Sequence, residues 1–107
     1  MKTKDLRHIY YVDSMLREAE FFISAERLAG ERLVKFFCHS QYATDKLRQT
    51  LRRLQREGKI AFWIKGEDFH ANDEGTRYLL DRFPGEEADE MMNKEDTLCS
   101  VVCLSLP

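Results

Sequence analysis

The clearest pattern of hydrophobic and polar positions in this chain lies between Thr44 and Gly58. Leu47, Leu51 and Leu54 recur at intervals of four and three residues, which places them on one side of a helix. The other side carries polar and cationic residues, namely Arg48, Gln49, Arg52, Arg53 and Arg56. The pattern predicts an amphipathic helix that ends at Gly58. Such a helix can lie in a groove of DNA, or it can be an ordinary surface helix.

A second amphipathic pattern spans residues 4–20 and predicts an N-terminal helix. Its apolar stripe consists of Leu6, Ile9, Tyr10, Leu16 and Ala19. Tyr11 and Val12 make this stripe wider than one packing surface needs. The surplus predicts either a homodimer contact or a core helix that is covered on more than one side.

The stretch 21–37 predicts a short strand followed by a helix. Phe21–Ile23 is aromatic and β-branched, which favours a strand. Ser24 has the side chain of a helix N-cap, and the helix that it opens carries apolar side chains inward as far as residue 37. Either Ser40 or Thr44 begins the basic helix that follows.

Residues 60–72 predict a β-hairpin. Side chains alternate in character from Ile60 to Lys65, which is the period of a strand. Gly66–Asp68 supplies a turn and Phe69–Ala71 forms the return strand. Asn72 is then the predicted N-cap of the next helix.

The chain changes character after Pro84-Gly85, where that helix ends. Residues 86–96 carry six acidic side chains and one lysine, which predicts a solvated segment or the polar face of a short helix. Residues 97–107 are apolar and favour β-structure. Because an exposed segment of this kind promotes aggregation, we expect it to pair with the edge of a sheet, in its own chain or in a partner's.

Charge is divided unevenly along the 107 residues, although the net charge is only −2. Residues 1–40 hold seven Lys or Arg against six Asp or Glu, residues 41–65 hold seven against two, and residues 66–107 hold three against eleven. The overall balance argues against a non-specific coat on nucleic acid, whereas the middle segment allows a focused basic surface. The length predicts one modest core.

Neither the termini nor the cysteines indicate export or a special chemistry. No run approaches the roughly 18–20 apolar residues of a membrane helix, and the N-terminus lacks an apolar signal core, so we expect a cytoplasmic protein. Cys38, Cys99 and Cys103 do not form a disulfide framework. Together with His39 they make a poor zinc motif, and no phosphate loop or catalytic pair is present. We therefore expect no enzyme activity, no metal and no cofactor.

Two patches of sequence resemble a known superfamily. FISAERLAGE leads to LRQTLRRLQREGKI within residues 22–60, and FHANDEGTRYL covers residues 69–79. Both are similar to passages of winged helix-turn-helix DNA-binding domains. The resemblance implies an α+β fold, mainly α, with an extra N-terminal helix. It covers a winged-helix domain at residues 1–83, followed by an acidic and β-prone extension at 84–107.

The resemblance also implies a mode of DNA binding. The recognition helix, at about residues 41–58, would enter the major groove, and the hairpin at 60–72 would lie on the flanking backbone as the wing. Candidate groove contacts are Gln41, Tyr42, Thr44, Arg48, Gln49 and Arg52. Candidate phosphate contacts are Lys46, Arg53, Arg56, Lys59 and Lys65. Trp63 is expected to serve packing more than binding.

Two functions remain open from the sequence. The first is a small transcriptional regulator that binds double-stranded DNA, as a homodimer formed through the N-terminal helix, the C-terminal stretch or both. The second is a protein-interaction module on the same fold, whose acidic tail or basic face binds a protein partner, or whose tail folds over the basic face and covers it.

Overall fold

The computed structural model describes every residue from Met1 to Pro107. Three helices and four strands alternate along the chain, which confirms the predicted α+β class. In chain order they are β1 (Lys2–Asp5), α1 (Val12–Leu28), β2 (Leu33–Phe37), α2 (Gln41–Arg56), β3 (Phe62–Lys65), α3 (Glu74–Arg82) and β4 (Cys99–Cys103). None of the helices is both long enough and apolar enough to cross a bilayer.

The four strands form one mixed sheet in the order β1-β2-β4-β3. β1 and β2 are parallel, and β4 runs antiparallel to both of its neighbours, β2 and β3. The C-terminal stretch therefore pairs within its own chain, as one of the two predicted alternatives. It is a central strand, however, and not an addition to an edge. All five residues of β2 and all five of β4 are buried because both faces of the sheet are covered.

α1 and α2 cover one face of the sheet. Leu47, Leu51 and Leu54 of α2 are all buried, as their spacing predicts, and they pack with Val34 and Val102 of the sheet in one apolar cluster. Helix α1 contributes Met15, Ala19 and Ile23 to the same cluster. We call this side of the sheet the α2 side.

α3 and the acidic segment 86–96 cover the other face. Leu79 of α3 and Phe69 are fully buried there against Phe37, Val101 and other sheet residues. Met91 and Met92 of the acidic segment pack on the same cluster. We call this the α3 side. Because the acidic segment packs here, its negative charge lies on this side of the sheet.

The basic helix begins and ends close to where its sequence predicts. The Ala43 N–H donates to Ser40 Oγ at 3.1 Å, so Ser40 is the N-cap. Gly58 has φ of +73°, the left-handed conformation expected after a helix. Helix α3 is capped by Asp73 and not by the predicted Asn72. Asp73 Oδ2 accepts a hydrogen bond from the Thr76 N–H.

The N-terminal third differs from the prediction. Residues 2–5 form a strand, so the predicted helix over 4–20 is wrong in its first turns. Phe21–Ile23 lies inside α1, because the buried positions Met15, Ala19 and Ile23 follow a spacing of four residues that a strand cannot supply. Gly30, with φ of +91°, follows that helix. The predicted helix up to residue 37 is therefore wrong, and Leu33–Phe37 is a fully buried strand.

The predicted hairpin at 60–72 is also wrong. β3 pairs with β4, and the return segment Phe69–Ala71 is not a strand. Its backbone is committed to local turns, since the Phe69 N–H donates to Gly66 O at 3.2 Å and the His70 N–H to Asp68 O at 2.8 Å. The partner that β3 needs lies more than thirty residues further along the chain, at Phe62↔Cys103 and its neighbours.

Candidate nucleic-acid interface

A basic surface runs along α2 next to the edge strand β3. Gln49, Arg52 and Arg56 are spaced by three and four residues on the exposed side of α2. Lys65 of β3 is exposed beside them and lines a cleft of about 270 Å³ together with Gln49 and Arg52. We call these four residues, Gln49, Arg52, Arg56 and Lys65, the basic face.

The three cations of the basic face are not neutralised within the chain. Arg52, Arg56 and Lys65 have no carboxylate oxygen within 4.0 Å, whereas many other cations of the chain are in ion pairs. Asp45 is the one acid that lines the cleft, and its Oδ1 accepts from Gln41 Nε2 at 2.9 Å. The basic face can therefore receive an external anion without first breaking an internal pair.

Trp63 lies between the basic face and the apolar core. It is half-buried and packs against the apolar cluster of the α2 side, which confirms its predicted packing role. The Arg52 guanidinium carbon lies 5.4 Å from the centroid of its ring. A cation held over an aromatic face keeps its charge while losing some freedom of movement. Arg52 is thus both oriented and available.

Arg48 also lines the cleft, but it is buried and does not belong to the exposed surface on which its sequence position predicted it. Only 4% of Arg48 is exposed, and Nη2 donates to the main-chain oxygens of Cys99 at 2.8 Å and Thr97 at 3.2 Å. Its Nε donates to Ser100 Oγ at 3.1 Å, and Nη1 and Nη2 bind both carboxylate oxygens of Glu67. Arg48 points toward the sheet because it lies one residue after Leu47, close to the apolar side of the helix. Its prediction as a groove contact is wrong.

Glu67 is the counter-ion that holds Arg48. Burial alone would raise the pKa of the Glu67 carboxyl, but the hydrogen bonds and charge of Arg48 outweigh burial and hold that pKa below its ordinary value. The pair joins α2 to the turn that follows β3. Arg48 is therefore a structural arginine.

Thr44 is the second groove candidate that the fold removes from the surface. It is fully buried, and its Oγ1 donates to the Ser40 main-chain oxygen at 2.9 Å. A threonine can make this bond to the residue four positions earlier in a helix. The predicted contact of Thr44 with DNA is therefore wrong in this conformation.

The other candidates are exposed or half-exposed but engaged elsewhere. Arg53 pairs with Glu20 of α1 at 2.8 Å and with Glu57 at 3.1 Å, and Lys59 also approaches Glu57 at 3.4 Å. Lys46 lies over the ring of Tyr42, 5.4 Å from its centroid. The structure thus brings Gln49, Arg52, Arg56 and Lys65 together and leaves Gln41, Tyr42, Lys46, Arg53 and Lys59 around them.

The acidic segment lies on the α3 side and does not cover the basic face. Asp89 and Glu90 accept from Lys35 Nζ at 3.0 and 3.3 Å, and Lys35 projects from β2 to the α3 side. Burial would lower the pKa of Lys35, but these carboxylates outweigh it and raise that pKa above its ordinary value. The predicted alternative in which the tail folds over the basic helix is therefore wrong.

Sequence reasoning named Tyr42 as a groove contact but missed that Tyr10 and Tyr11 are exposed as well. Tyr10, Tyr11 and Tyr42 are 72%, 83% and 63% exposed. The first two were assigned to the apolar stripe of a helix that begins, in the structure, only at Val12. The alternating sequence KTKD before Leu6 could have shown this. It is a strand pattern, and it argues against a helix that begins before Tyr10 and Tyr11.

Metal chemistry finds no support in the arrangement of cysteines. Cys38 lies in the apolar cluster of the α2 side, whereas Cys99 and Cys103 lie in that of the α3 side. The sheet separates them, so the three thiols cannot share one ion. No group of three or more His, Cys, Asp or Glu residues is placed to hold a metal.

Relationships to known proteins do not assign a role to the basic face. The resemblance to winged helix-turn-helix domains remains a prediction that rests on the two sequence patches. Comparison of the chain with protein-family models, with curated proteins and with solved structures finds no match in any of the three.

Proposed function

We propose that this chain binds double-stranded DNA through the basic face and acts as a small transcriptional regulator. The observation that carries the proposal is the set of three unneutralised cations, Arg52, Arg56 and Lys65, on one surface of a chain whose acidic segment lies on the opposite side of the sheet. Phosphate contacts of this kind supply affinity without reading sequence.

Gln49 and Arg52 supply the sequence-dependent part of the proposal. Glutamine can bind adenine through two hydrogen bonds, and arginine can bind guanine in the same way. Both residues lie on the outward side of α2 and line the cleft with Lys65, and Arg56 lies one turn beyond Arg52, so Arg56 and Lys65 are the phosphate-binding positions. They are therefore positioned to reach base edges once those two cations have fixed the register of the helix on the duplex.

The winged-helix docking mode enters the proposal only in part. Helix α2 keeps its role as the element that contacts DNA. A two-stranded wing at 60–72 has no place in it, because β3 is paired with β4 and residues 69–71 form turns. In place of a wing, the single strand β3 presents Lys65 to the phosphate backbone of the DNA, next to α2.

The test is the salt dependence of DNA binding. A fluorescent duplex is titrated with wild type and with R52A/R56A/K65A at several salt concentrations, and anisotropy gives the dissociation constants. The two phosphate contacts, of Arg56 and Lys65, give a slope of log K against log salt of about −1.8, and the triple variant should lose most of that slope. A selected DNA pool then shows whether Q49A alone relaxes sequence preference.

The matched control is R77A/R82A/K94A, which removes the same charge from the α3 side. Arg77 and Arg82 belong to α3 and Lys94 to the acidic segment. The control should bind DNA with the affinity of wild type, because the proposal attributes binding to the position of the three cations and not to net charge. Equal losses in the two triple variants, or a wild type that does not bind duplex at all, would contradict the proposed function.

A protein-interaction role is the second candidate, and the exposed acids favour it. Glu87 and Glu90 of the acidic segment point to solvent, and the side chain of Glu90 is 75% exposed. A basic protein could bind there without touching the basic face. Cross-linking to a lysine-rich partner that survives R52A/R56A/K65A but is lost in E87Q/E90Q would favour this role over DNA binding.

The predicted homodimer can use α1. β4 has a strand on each side and therefore offers no free edge to a second copy. On α1, Phe21 and Leu28 are 72% and 90% exposed and lie seven residues apart on one side of the helix. We propose that α1 forms any homodimer contact. Sedimentation of F21S/L28S tests it, since a dimeric wild type should become monomeric.

A further inference from the structure

The outward side of α1 carries two large apolar side chains that nothing in the chain covers. Phe21 is 72% exposed and Leu28 is 90% exposed. Both lie opposite the buried Ala19, because they follow it along the helix at angles of about 200° and 180°. They share one side of α1 and lie about 10 Å apart along its axis. We call Phe21 and Leu28 the outer stripe.

A groove between α1 and α2 continues the outer stripe. Its volume is about 560 Å³, and it is lined by Glu20, Ile23, Ser24, Arg27, Leu28, Leu54 and Lys59. The buried side chains Ile23 and Leu54 form its floor, and the exposed Arg27 and Lys59 lie at its rim. Leu28 belongs to the groove and to the outer stripe, so the two form one continuous surface. This surface combines apolar area with a cationic rim.

Two arginines without an internal counter-ion flank the outer stripe. Arg17 is exposed one turn before Phe21. Arg27 Nη1 donates to the main-chain oxygens of Gly58 at 3.0 Å and Lys59 at 2.6 Å, which holds the guanidinium beside the groove. Neither arginine has a carboxylate oxygen within 4.0 Å. Both can therefore bind an external anion.

The acids of this helical layer are paired or lie away from the outer stripe. Glu20 and Glu57 are bound to Arg53 at 2.8 and 3.1 Å. Asp13 and Asp45 have no such partner, but both lie among the first five residues of their helices, about 12 Å or more along the axis from the outer stripe or the groove. The acidic segment lies across the sheet. The charge around the outer stripe is therefore positive.

Apolar side chains beside unpaired cations select an anionic lipid surface as the occupant. Such a surface offers phosphates to the arginines and an apolar phase to Leu28 and Phe21. Duplex DNA offers the phosphates without the apolar phase. A second copy offers apolar area, but a two-fold contact repeats Arg17 and Arg27 on both sides of one interface, and these like charges oppose it.

We propose that the outer stripe docks this chain on the surface of a membrane that contains anionic phospholipid. Phe21 and Leu28 enter the boundary between headgroups and acyl chains, while Arg17 and Arg27 bind headgroup phosphates. Docking of this kind is independent of DNA binding, because its residues lie outside the basic face. The homodimer contact proposed for α1 covers the same stripe, so the chain docks as a monomer.

The test is cosedimentation with vesicles of phosphatidylcholine alone and of phosphatidylcholine mixed equally with phosphatidylserine. Wild type should bind the mixed vesicles and bind the neutral ones more weakly. F21S/L28S should lower the partition coefficient on mixed vesicles roughly 100-fold, about tenfold for each large apolar side chain withdrawn from water. R17A/R27A should lower it roughly 20-fold on mixed vesicles and leave binding to neutral ones unchanged.

Matched variants separate the chemistry of the surface from damage to the fold. F21L/L28F and R17K/R27K should bind mixed vesicles nearly as wild type does, because they keep the apolar area and the charge. L106S should also bind as wild type, since Leu106 is 41% exposed but lies at the C-terminal end, outside α1. Circular dichroism melts verify that every variant is folded.

Three results would overturn membrane docking. They are a wild type that does not bind mixed vesicles, equal binding of the two vesicle types, and unchanged binding by folded F21S/L28S. A wild type that stays dimeric and unbound beside the vesicles gives the first of these results, and a second copy would then be what covers the stripe. DNA binding is scored separately, because F21S/L28S keeps the basic face and R52A/R56A/K65A keeps the outer stripe.

Discussion

Arg48→Ala is the substitution that most directly separates a structural arginine from a DNA contact. Arg48 donates five hydrogen bonds, of which two reach Glu67 and the others reach Ser100 Oγ and the main-chain oxygens of Thr97 and Cys99. Removing one partner of a buried ion pair costs about 3–5 kcal/mol. Glu67 keeps 30% of its side chain exposed, so water can solvate part of the abandoned carboxylate. We therefore expect a loss of about 2–4 kcal/mol in the free energy of unfolding.

Urea denaturation followed by circular dichroism measures this loss, with Arg52→Ala as the matched control. The control removes an exposed guanidinium whose contact with Trp63 contributes about 0.5–1 kcal/mol. R48A should lower the melting temperature by roughly 10–20 °C, and R52A by only a few degrees. The order should reverse for DNA affinity, where R52A weakens binding and folded R48A binds nearly as wild type. Equal stability of the two variants would refute the assignment of Arg48 to the interior.

The same ion pair predicts how stability depends on acid. The pKa of Glu67 is lowered in the folded chain, so the pair stabilises the fold above the carboxyl's ordinary pKa of 4.5. That contribution is lost as the pH falls through the lowered pKa. E67Q should therefore flatten the decline of stability below about pH 4.5. An unchanged decline in E67Q would show that other carboxylates control acid unfolding.

Three further predictions concern the rest of the interior. K35A should destabilise the fold by about 3 kcal/mol in urea and expose the acidic segment to protease, because it leaves buried Asp89 with only the more distant N-terminal ammonium, 3.8 Å from its Oδ2; resistance equal to that of wild type would contradict this. G66A should cost about 1–3 kcal/mol in the same assay, since a Cβ there would lie 2.6 Å from the main-chain oxygen of Cys99, and an unchanged midpoint would refute that fit. Burial raises the pKa of Cys99 to about 12 and that of Cys103 to about 11, so Ellman's reagent should label these thiols at neutral pH only after unfolding.

Local patterns in the sequence were enough to predict α2. Its leucine spacing and the glycine at its end act within one or two turns of the chain and are found where they were expected, and the cap is Ser40, one of the two predicted alternatives. The burial of Leu47, Leu51 and Leu54 followed from the same information, whereas the class of fold was implied by the resemblance. The exposed part of the basic face was predicted for the same reason, because Gln49, Arg52 and Arg56 lie opposite those leucines.

Contacts between distant parts of the chain explain what the sequence analysis missed. β3 pairs with β4, and no local feature of residues 60–72 indicates a partner at 99–103. Arg48 is only about 100° from Leu47 on the helix, a border position that either solvent or the sheet could receive. Its partners lie 19 to 52 residues away, so the fold decides its role. Phe21–Ile23 is a second segment whose structure is decided by distant contacts. Its local sequence favours a strand, but the packing of α1 on the sheet outweighs that preference.

The separation of charge explains how an acidic chain can present a basic surface. Lys35 and Asp89 are both about 95% buried and fasten the acidic segment to the α3 side, so its carboxylates and the basic face lie on opposite sides of the sheet. A helix layer packed on a sheet places the two surfaces well over 10 Å apart, since packed layers are themselves about 10 Å from centre to centre. That distance exceeds a Debye length of about 8 Å at physiological salt. The potential near Arg52, Arg56 and Lys65 is therefore set by these cations and by nearby acids such as Asp45 and Glu67, and not by the acidic segment on the α3 side.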